Sequence, residues 1–518
     1  MENILSIPVG NGGSVKGAHG PEGSAATHEM MKRVAVVIVL LFTSVAAVIM
    51  YSRAISPIWD MSAGTGDSTM FEVIGREWAR GAVPYISYWD SKGPYVFFVN
   101  MLGYLLGGRL ALCGLEALNL FVTKVFMYKT MRLRLGRWVS LAASSLCVTL
   151  TALAQWNYGN TQSGWCMPFI AASIYLWVKS IEEKSFEPRR ALVHGLAVGI
   201  CLMSRPSNAL PVLCYVLAGA IWLARRGEWR NLLANLGFGI AGIALPVIPF
   251  SAYFAAHGAF GDMMYAIFTY NFAYADHYAQ QYAALISTLP MNIARVLLRS
   301  MPTVMLAVVT AAGWKKDRLP FTLLALPLLI SLVPFFKLLS FPWYLLIYMP
   351  VSAPLMMYGY GNGKLVTALS LLPFAFLGGP QFEMPRPFTC SIDDIKHVRT
   401  VYNRMVDEAG SGSLLIINEN LYRPVYIERD ISPCGKFFYY QDSVATVSDE
   451  VKDMILSEFD DKKPEYVIYT DAPYGFVGAG SIDESVYRES IYDGYDAVDD
   501  EDMGYCRLTL YRRKDIVG

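Results

Sequence analysis

Long apolar runs recur along this chain and then stop. Segments such as VAVVIVLLFTSVAAVIM (34–50) and FTLLALPLLISLVPFF (321–336) punctuate the first 379 of 518 residues, and nothing comparable follows. A helix needs ~20 mostly apolar residues to cross a ~30 Å hydrocarbon layer. Eleven stretches are candidate spans: 34–52, 110–130, 138–155, 165–179, 191–204, 207–224, 233–256, 295–314, 319–336, 340–360 and 364–379. One more, 94–107, has 14 residues. At ~1.5 Å per residue it reaches only ~21 Å, a length suited to a re-entrant or interfacial helix. Charged residues make up 17% of the chain, against ~25% in soluble domains.

The net charge of zero hides an asymmetry. Residues 380–518 hold 27 acids and 15 bases, and the remainder holds 16 acids and 28 bases. The bases fall in alternate loops: Lys129 to Arg137, Lys179 to Arg190, Arg225 to Arg230, Lys315 to Arg318, then Lys364. Lys and Arg are retained on the cytoplasmic side, so these loops face inward and residues 380–518 face outward. The bases form no stripe of the kind that binds nucleic acid.

These signals predict a mainly α, polytopic transmembrane domain with a small extracytoplasmic α/β domain at its C-terminal end. Residues 1–29 are polar and Gly-rich, hence a disordered cytoplasmic segment. Residues 30–379 form the membrane domain and 380–518 the soluble one. In the latter, SLLIIN (413–418), YVIYT (466–470) and YCRLTLYRR (505–513) read as strands. A helix over 446–461 places Val451, Ile455 and Phe459 on one face, and DDEDMG (499–504) reads as a solvated loop. No C-x-x-C occurs, and no ligand set for a divalent cation stands out. An exported domain would permit one disulfide among Cys390, Cys434 and Cys506, with the pairing open.

The first loop carries the candidate chemistry. Phe71, Ile74 and Trp78 line one face of a short helix, with Glu72, Arg76 and Arg80 largely opposite, as in a helix lying in the membrane interface. Asp67 stands just before it, where an acid can equally be a helix cap. G-x-x-P-Y and W-D-x-K-G-P follow (81–94), then GN-T (159–161), RPSNA (205–209) and FGDMMYAIFTYNFAY (260–274).

That order of motifs resembles the GT-C class of membrane glycosyltransferases, closest to bacterial members that use a polyprenyl-phosphate sugar. The resemblance implies a hexosyl- or pentosyltransferase of the plasma membrane, inverting at the transferred sugar. It implies a polyprenyl-phosphate sugar donor and a glycan or lipid-linked acceptor on the outer face, in cell-wall or surface-polysaccharide synthesis. Asp67 occupies the position of the catalytic base, with Asp90 second. Lys92 and Arg205 become partners for the donor phosphate, although each also fits an interfacial anchor. Tyr85, Asn160, Gln162 and Asn271 become sugar-binding candidates, and Lys337 a further cation. The sequence departs from the family at Gln162 and Ser163, where acids are usual, and at Trp343, where His is usual. A transporter or flippase, or a non-catalytic assembly protein, remains the alternative; the chain lacks the repeated halves common in transporters.

The topology is testable in whole cells. Single cysteines placed in loop 66–93 and in segment 380–518 should both react with an impermeant thiol reagent on intact cells. Protection of the first loop until lysis would mean that 94–107 crosses the membrane.

Overall fold

The computed structural model describes residues 21–52, 67–155, 159–283, 317–336, 342–362, 392–418, 424–439, 441–471, 481–503 and 507–516, with isolated residues between 290 and 313. The membrane part is helical: α1 (Pro21–Tyr51), α2 (Ser68–Ala79), α3 (Pro94–Met131), α4 (Arg137–Gln155), α5 (Gln162–Glu183), α6 (Pro188–Leu202), α7 (Leu210–Arg225) and α8 (Trp229–Ala256). Two shorter helices, α9 (Phe260–Met264) and α10 (Tyr270–Ala283), flank a π turn. Among the described residues, five helices are long and apolar enough to cross a membrane. Two of them present broad apolar faces outward: Ile38 and Phe42 on α1, and Leu233, Ile240 and Ile248 on α8, are each more than half exposed. Exposed apolar surface on that scale calls for lipid. The predicted spans 295–314 and 364–379 lie largely or wholly outside the described residues. Residues 21–29, expected to be disordered, instead form the first turns of α1, where Glu29 pairs with Arg33 and Arg137.

The stretch 94–107 ends at a sharp bend. Although α3 is continuous by hydrogen bonding over 38 residues, Gly107 and Gly108 have φ of 143° and 70°. In a straight helix residues nine apart are separated by ~13 Å. Here a Cβ on Gly103 would sit 2.9 Å from the Leu112 Cβ. The chain therefore folds back at the two glycines, and the arm before them is a separate helix packed beside the arm that follows.

That first arm packs on α2, with Phe71 and Phe97 rings 6.1 Å apart. The other face of α2 does not meet solvent. Arg76 donates to the carbonyls of Tyr426 (2.8 Å) and Ile431 (2.6 Å) and to Asp430 (3.1 Å), all in the soluble domain. From Ser68 to Trp78 every residue of α2 is buried. The first loop is thus sandwiched between the bundle and the soluble domain.

The C-terminal part, expected to be soluble, has α11 (Ile392–Ala409), β1 (Leu414–Ile417), α12 (Asp449–Lys462), β2 (Tyr466–Asp471), β3 (Tyr495–Asp502) and β4 (Arg507–Arg513). The sheet order is β1-β2-β4-β3, parallel between β1 and β2 and antiparallel elsewhere. Val451, Ile455 and Phe459 of α12 pack into its core, as their spacing requires. Residues 499–502, read as a solvated loop, instead form part of edge strand β3, with Arg404 bridging Asp499 and Glu501. Acidic side chains on an edge strand discourage pairing with another chain. Cys434 is half-buried, and Cys390 and Cys506 lie outside the described residues.

Glu72 of α2 sits fully buried against Arg109, whose Nε donates at 3.1 Å. Burial outweighs that guanidinium and raises the carboxyl to about 7. The folded protein therefore holds a proton, between the ordinary value and about 7, that the unfolded chain releases. Stability from this group is full at low pH and declines as pH rises toward neutrality, by up to about 3 kcal/mol at ~1.4 kcal/mol per unit. Glu72→Gln should remove that slope from thermal melts recorded between about pH 5 and 7.5. Parallel slopes in the two proteins would refute the assignment.

Candidate active site

Residues 88–95, YWDSKGPY, form a strap docked on the end of α6. The Gly93 N–H donates to the Ser204 carbonyl and the Tyr95 N–H to the Met203 carbonyl, each at 2.8 Å. A Cβ at position 93 would stand 2.2 Å from the Met203 oxygen, so only glycine allows this approach. Two side chains brace the strap. The Tyr85 hydroxyl donates to the Lys92 carbonyl at 2.7 Å, and the Asn271 amide donates to the Ser91 carbonyl at 2.7 Å. Arg205 follows Ser204 directly, so docking the strap brings Lys92 and Arg205 to one place.

The acids face them. Asp90 is buried, and its Oδ1 accepts from the Lys92 N–H at 3.2 Å and lies 3.5 Å from Lys92 Nζ. Burial pushes its carboxyl above the usual range, more than Lys92 and a hydrogen bond from Tyr439 pull it down. Burial acts on Lys92 in the opposite sense, but the charges of Asp90 and Asp67 overcome it and hold the ammonium above its ordinary value. Tyr344 and Arg205 also act on Lys92. The Arg205 guanidinium stacks 3.3 Å above the Tyr344 ring. Its Nη1 is buried and has no hydrogen-bond partner among the described residues. An unmatched buried cationic donor is costly, and it marks a place where an anion would be welcome.

Asp67 opens α2, yet its side chain caps nothing there. Ser68 Oγ is buried and has no partner among the described residues. The floor beneath is a polar hub on Asn160. Its amide N–H donates to Glu116 at 2.8 Å, and its side chain bonds the Ser68 carbonyl, Asn100 and Trp165. Glu116 also accepts from Ser52 at 2.6 Å. The start of α2 is therefore fixed to the loop before α5. Gln162 is buried on the first turn of α5, where its carbonyl accepts from Ser204 Oγ at 3.2 Å.

The sequence candidates thus separate into two groups. Asp67, Asp90, Lys92 and Arg205 share one electrostatic neighbourhood. Tyr85, Asn160 and Asn271 spend their polar atoms bracing the loops around it. Lys337 and the side chain of Trp343 lie outside the described residues. Tyr344, Glu116, Asn100 and Tyr439 were not read from the sequence. Tyr439 had only the aromatic run KFFYY (436–440) to signal it. Among the described residues no group of three or more His, Cys, Asp or Glu could hold a metal ion.

With this geometry in place, likenesses to known proteins become informative. Residues 91–253 match the family described as dolichyl-phosphate-mannose-protein mannosyltransferase. The crystal structure of ArnT from Cupriavidus metallidurans bound to undecaprenyl phosphate aligns over 96% of this chain and 100% of its own, at 13% identity and TM-score 0.50. The Archaeoglobus fulgidus oligosaccharyltransferase in complex with Zn and sulfate aligns over 84% of this chain and 67% of its own, at 12% identity and TM-score 0.46. No curated protein matches the chain. The chain has the fold of a membrane protein of the GT-C class, in agreement with the resemblance drawn from its motifs.

The contact between the domains can be measured directly. Tyr439→Phe and Asp90→Asn should each lower thermal stability, and their effects should fall short of additivity by about 1.5–3 kcal/mol, the worth of a hydrogen bond to a charged group. Simple additivity would mean that the two groups do not meet.

Proposed function

We propose that this protein is a glycosyltransferase that moves a sugar from a polyprenyl-phosphate donor to a glycan or lipid-linked acceptor on the outer face of the plasma membrane. The observation that carries the reading is the Arg205 guanidinium, with a buried Nη1 that has no partner among the described residues, whose charge acts on Lys92 together with those of Asp90 and Asp67. The family match over 91–253 includes Lys92 and Arg205. The soluble domain lies on the outer side in this reading, where it roofs the site.

The chemistry needs a base on one side of the anomeric carbon and cations on the other. Asp67 takes the proton of the acceptor hydroxyl. The hydroxyl oxygen attacks the anomeric carbon as the bond to the donor phosphate breaks, and the electron pair leaves on the phosphate oxygen. Lys92 and Arg205 meet that charge, and the configuration at the sugar inverts. Asp90 is a positioning residue. Its oxygens are taken up by Lys92 and Tyr439, which keeps the Lys92 ammonium charged and aimed. Tyr85 and Asn271 hold the strap, Asn160 holds the floor, and Gln162 stands near the bound sugar. Lys337 is a further cation for the donor.

Membranes bearing the protein, supplied with a panel of polyprenyl-phosphate sugars, test this reading. Asp67→Asn should cut turnover by about 10²- to 10⁴-fold, the usual worth of general-base catalysis, while leaving the melting temperature unchanged. Lys92→Ala or Arg205→Ala should instead weaken donor binding by about tenfold or more. Full turnover by Asp67→Asn would eliminate the mechanism.

A further inference from the structure

A cavity of about 400 Å³ opens at the other end of α2 from Asp67. Twelve residues of helix at ~1.5 Å each place it ~18 Å away along the axis, so it is distinct from the chamber described above. Its walls come from three parts of the chain: the end of α2 with Arg76 and Arg80, the turn of α3 with Tyr104, Leu105 and Arg109, and the soluble domain with Asp430.

The charges on these walls are not equally satisfied. Arg76 and Arg80 share Asp430 and Glu77, two cations against two carboxylates. Arg109 differs. Its Nε bonds Glu72, but its Nη2 is buried and has no partner among the described residues. Glu72 lies one layer behind, outside the cavity lining, with the Tyr104 hydroxyl beside it. Arg109 Nη2 is thus the donor left without a partner at the cavity wall. At the mouth, Leu105, Leu106 and Leu110 are 61%, 68% and 68% exposed around the Gly107–Gly108 turn. Three exposed leucines beside an unmatched guanidinium suit an amphiphile: chains on the leucines, an anionic oxygen on the arginine.

We propose that this pocket binds the headgroup of an anionic phospholipid of the bilayer, with phosphate on Arg109 and acyl chains along Leu105, Leu106 and Leu110. A phosphoglycerol headgroup offers the anion that Arg109 Nη2 lacks, with no choline cation to offset it. Occupancy would tie the turn of α3, the end of α2 and the soluble domain to the surrounding membrane. The site serves the fold at the level of lipid headgroups and is independent of the transfer reaction.

The full-length protein reconstituted in nanodiscs tests the assignment. In discs mixing phosphatidylcholine and phosphatidylglycerol, native mass spectrometry should find phosphatidylglycerol retained, and the melting temperature should exceed that in pure phosphatidylcholine. Arg109→Gln should reduce retention about tenfold, as for loss of one hydrogen bond to a charged group. Arg109→Lys keeps the charge but loses the guanidinium fork, so it should also retain less lipid if Arg109→Gln fails to fold. Equal retention of the two lipids, or undiminished retention by either variant, would overturn the site. Displacement of the lipid by millimolar inorganic phosphate alone would overturn the lipid assignment and leave a free-anion site.

Discussion

Two backbone hydrogen bonds hold the candidate site together, those from Gly93 and Tyr95 to the Ser204 and Met203 carbonyls just past the end of α6. They set Lys92 beside Arg205, an arrangement that like charges resist. Asp90 and Asp67 offset the repulsion, and the strap cannot retreat because Tyr85 and Asn271 brace it from behind. Without the close approach that Gly93 permits, the two cations would occupy separate loops and the acids would have nothing to hold.

The same strap ties the two domains. The Trp89 N–H donates to the Lys436 carbonyl at 2.9 Å, and Trp89 packs 5.3 Å from the Phe437 ring. Lys436 reaches Asp262 at 3.4 Å, and Tyr439 turns inward to Asp90. One apolar cluster runs from Met70 and Phe97 through Trp89 into the sheet of the soluble domain. The roof of the site is therefore continuous with its floor, and Asp90 owes part of its burial to a residue almost 350 positions later in the chain.

Much of this was legible in the sequence because it rests on local physics. The 14 residues of 94–107 suggested a helix too short to cross, and the chain bends where that stretch ends, at Gly107 and Gly108. Alternation of basic loops placed Asp67, Lys92 and Arg205 on one side, and the chain brings them together. The apolar face of α2 was read from spacing, but its polar face was misjudged. Arg76 is charged, and nothing local distinguishes a solvated arginine from one whose donors meet carbonyls of a distant domain. Strand β3 escaped for a related reason: YDAVDDED lacks the apolar alternation of a strand, and its pairing is imposed by β4. Helix start 21–29 was missed because its polar composition resembles a coil, whereas pairing of Glu29 with Arg137 supports it.

The burial of Arg76 has a consequence for synthesis. Its acceptors Tyr426 and Ile431 lie 350 and 355 residues further along the chain. At about 5–20 residues per second, the first loop is complete roughly 20–70 s before they exist. During that interval α2 holds an apolar face and a guanidinium with no carbonyls to receive it. The lipid headgroup layer is the one surface at hand that can serve both. The membrane would then act as a temporary stand-in for a domain still being made, and the order of translation would become part of how the roof is fitted.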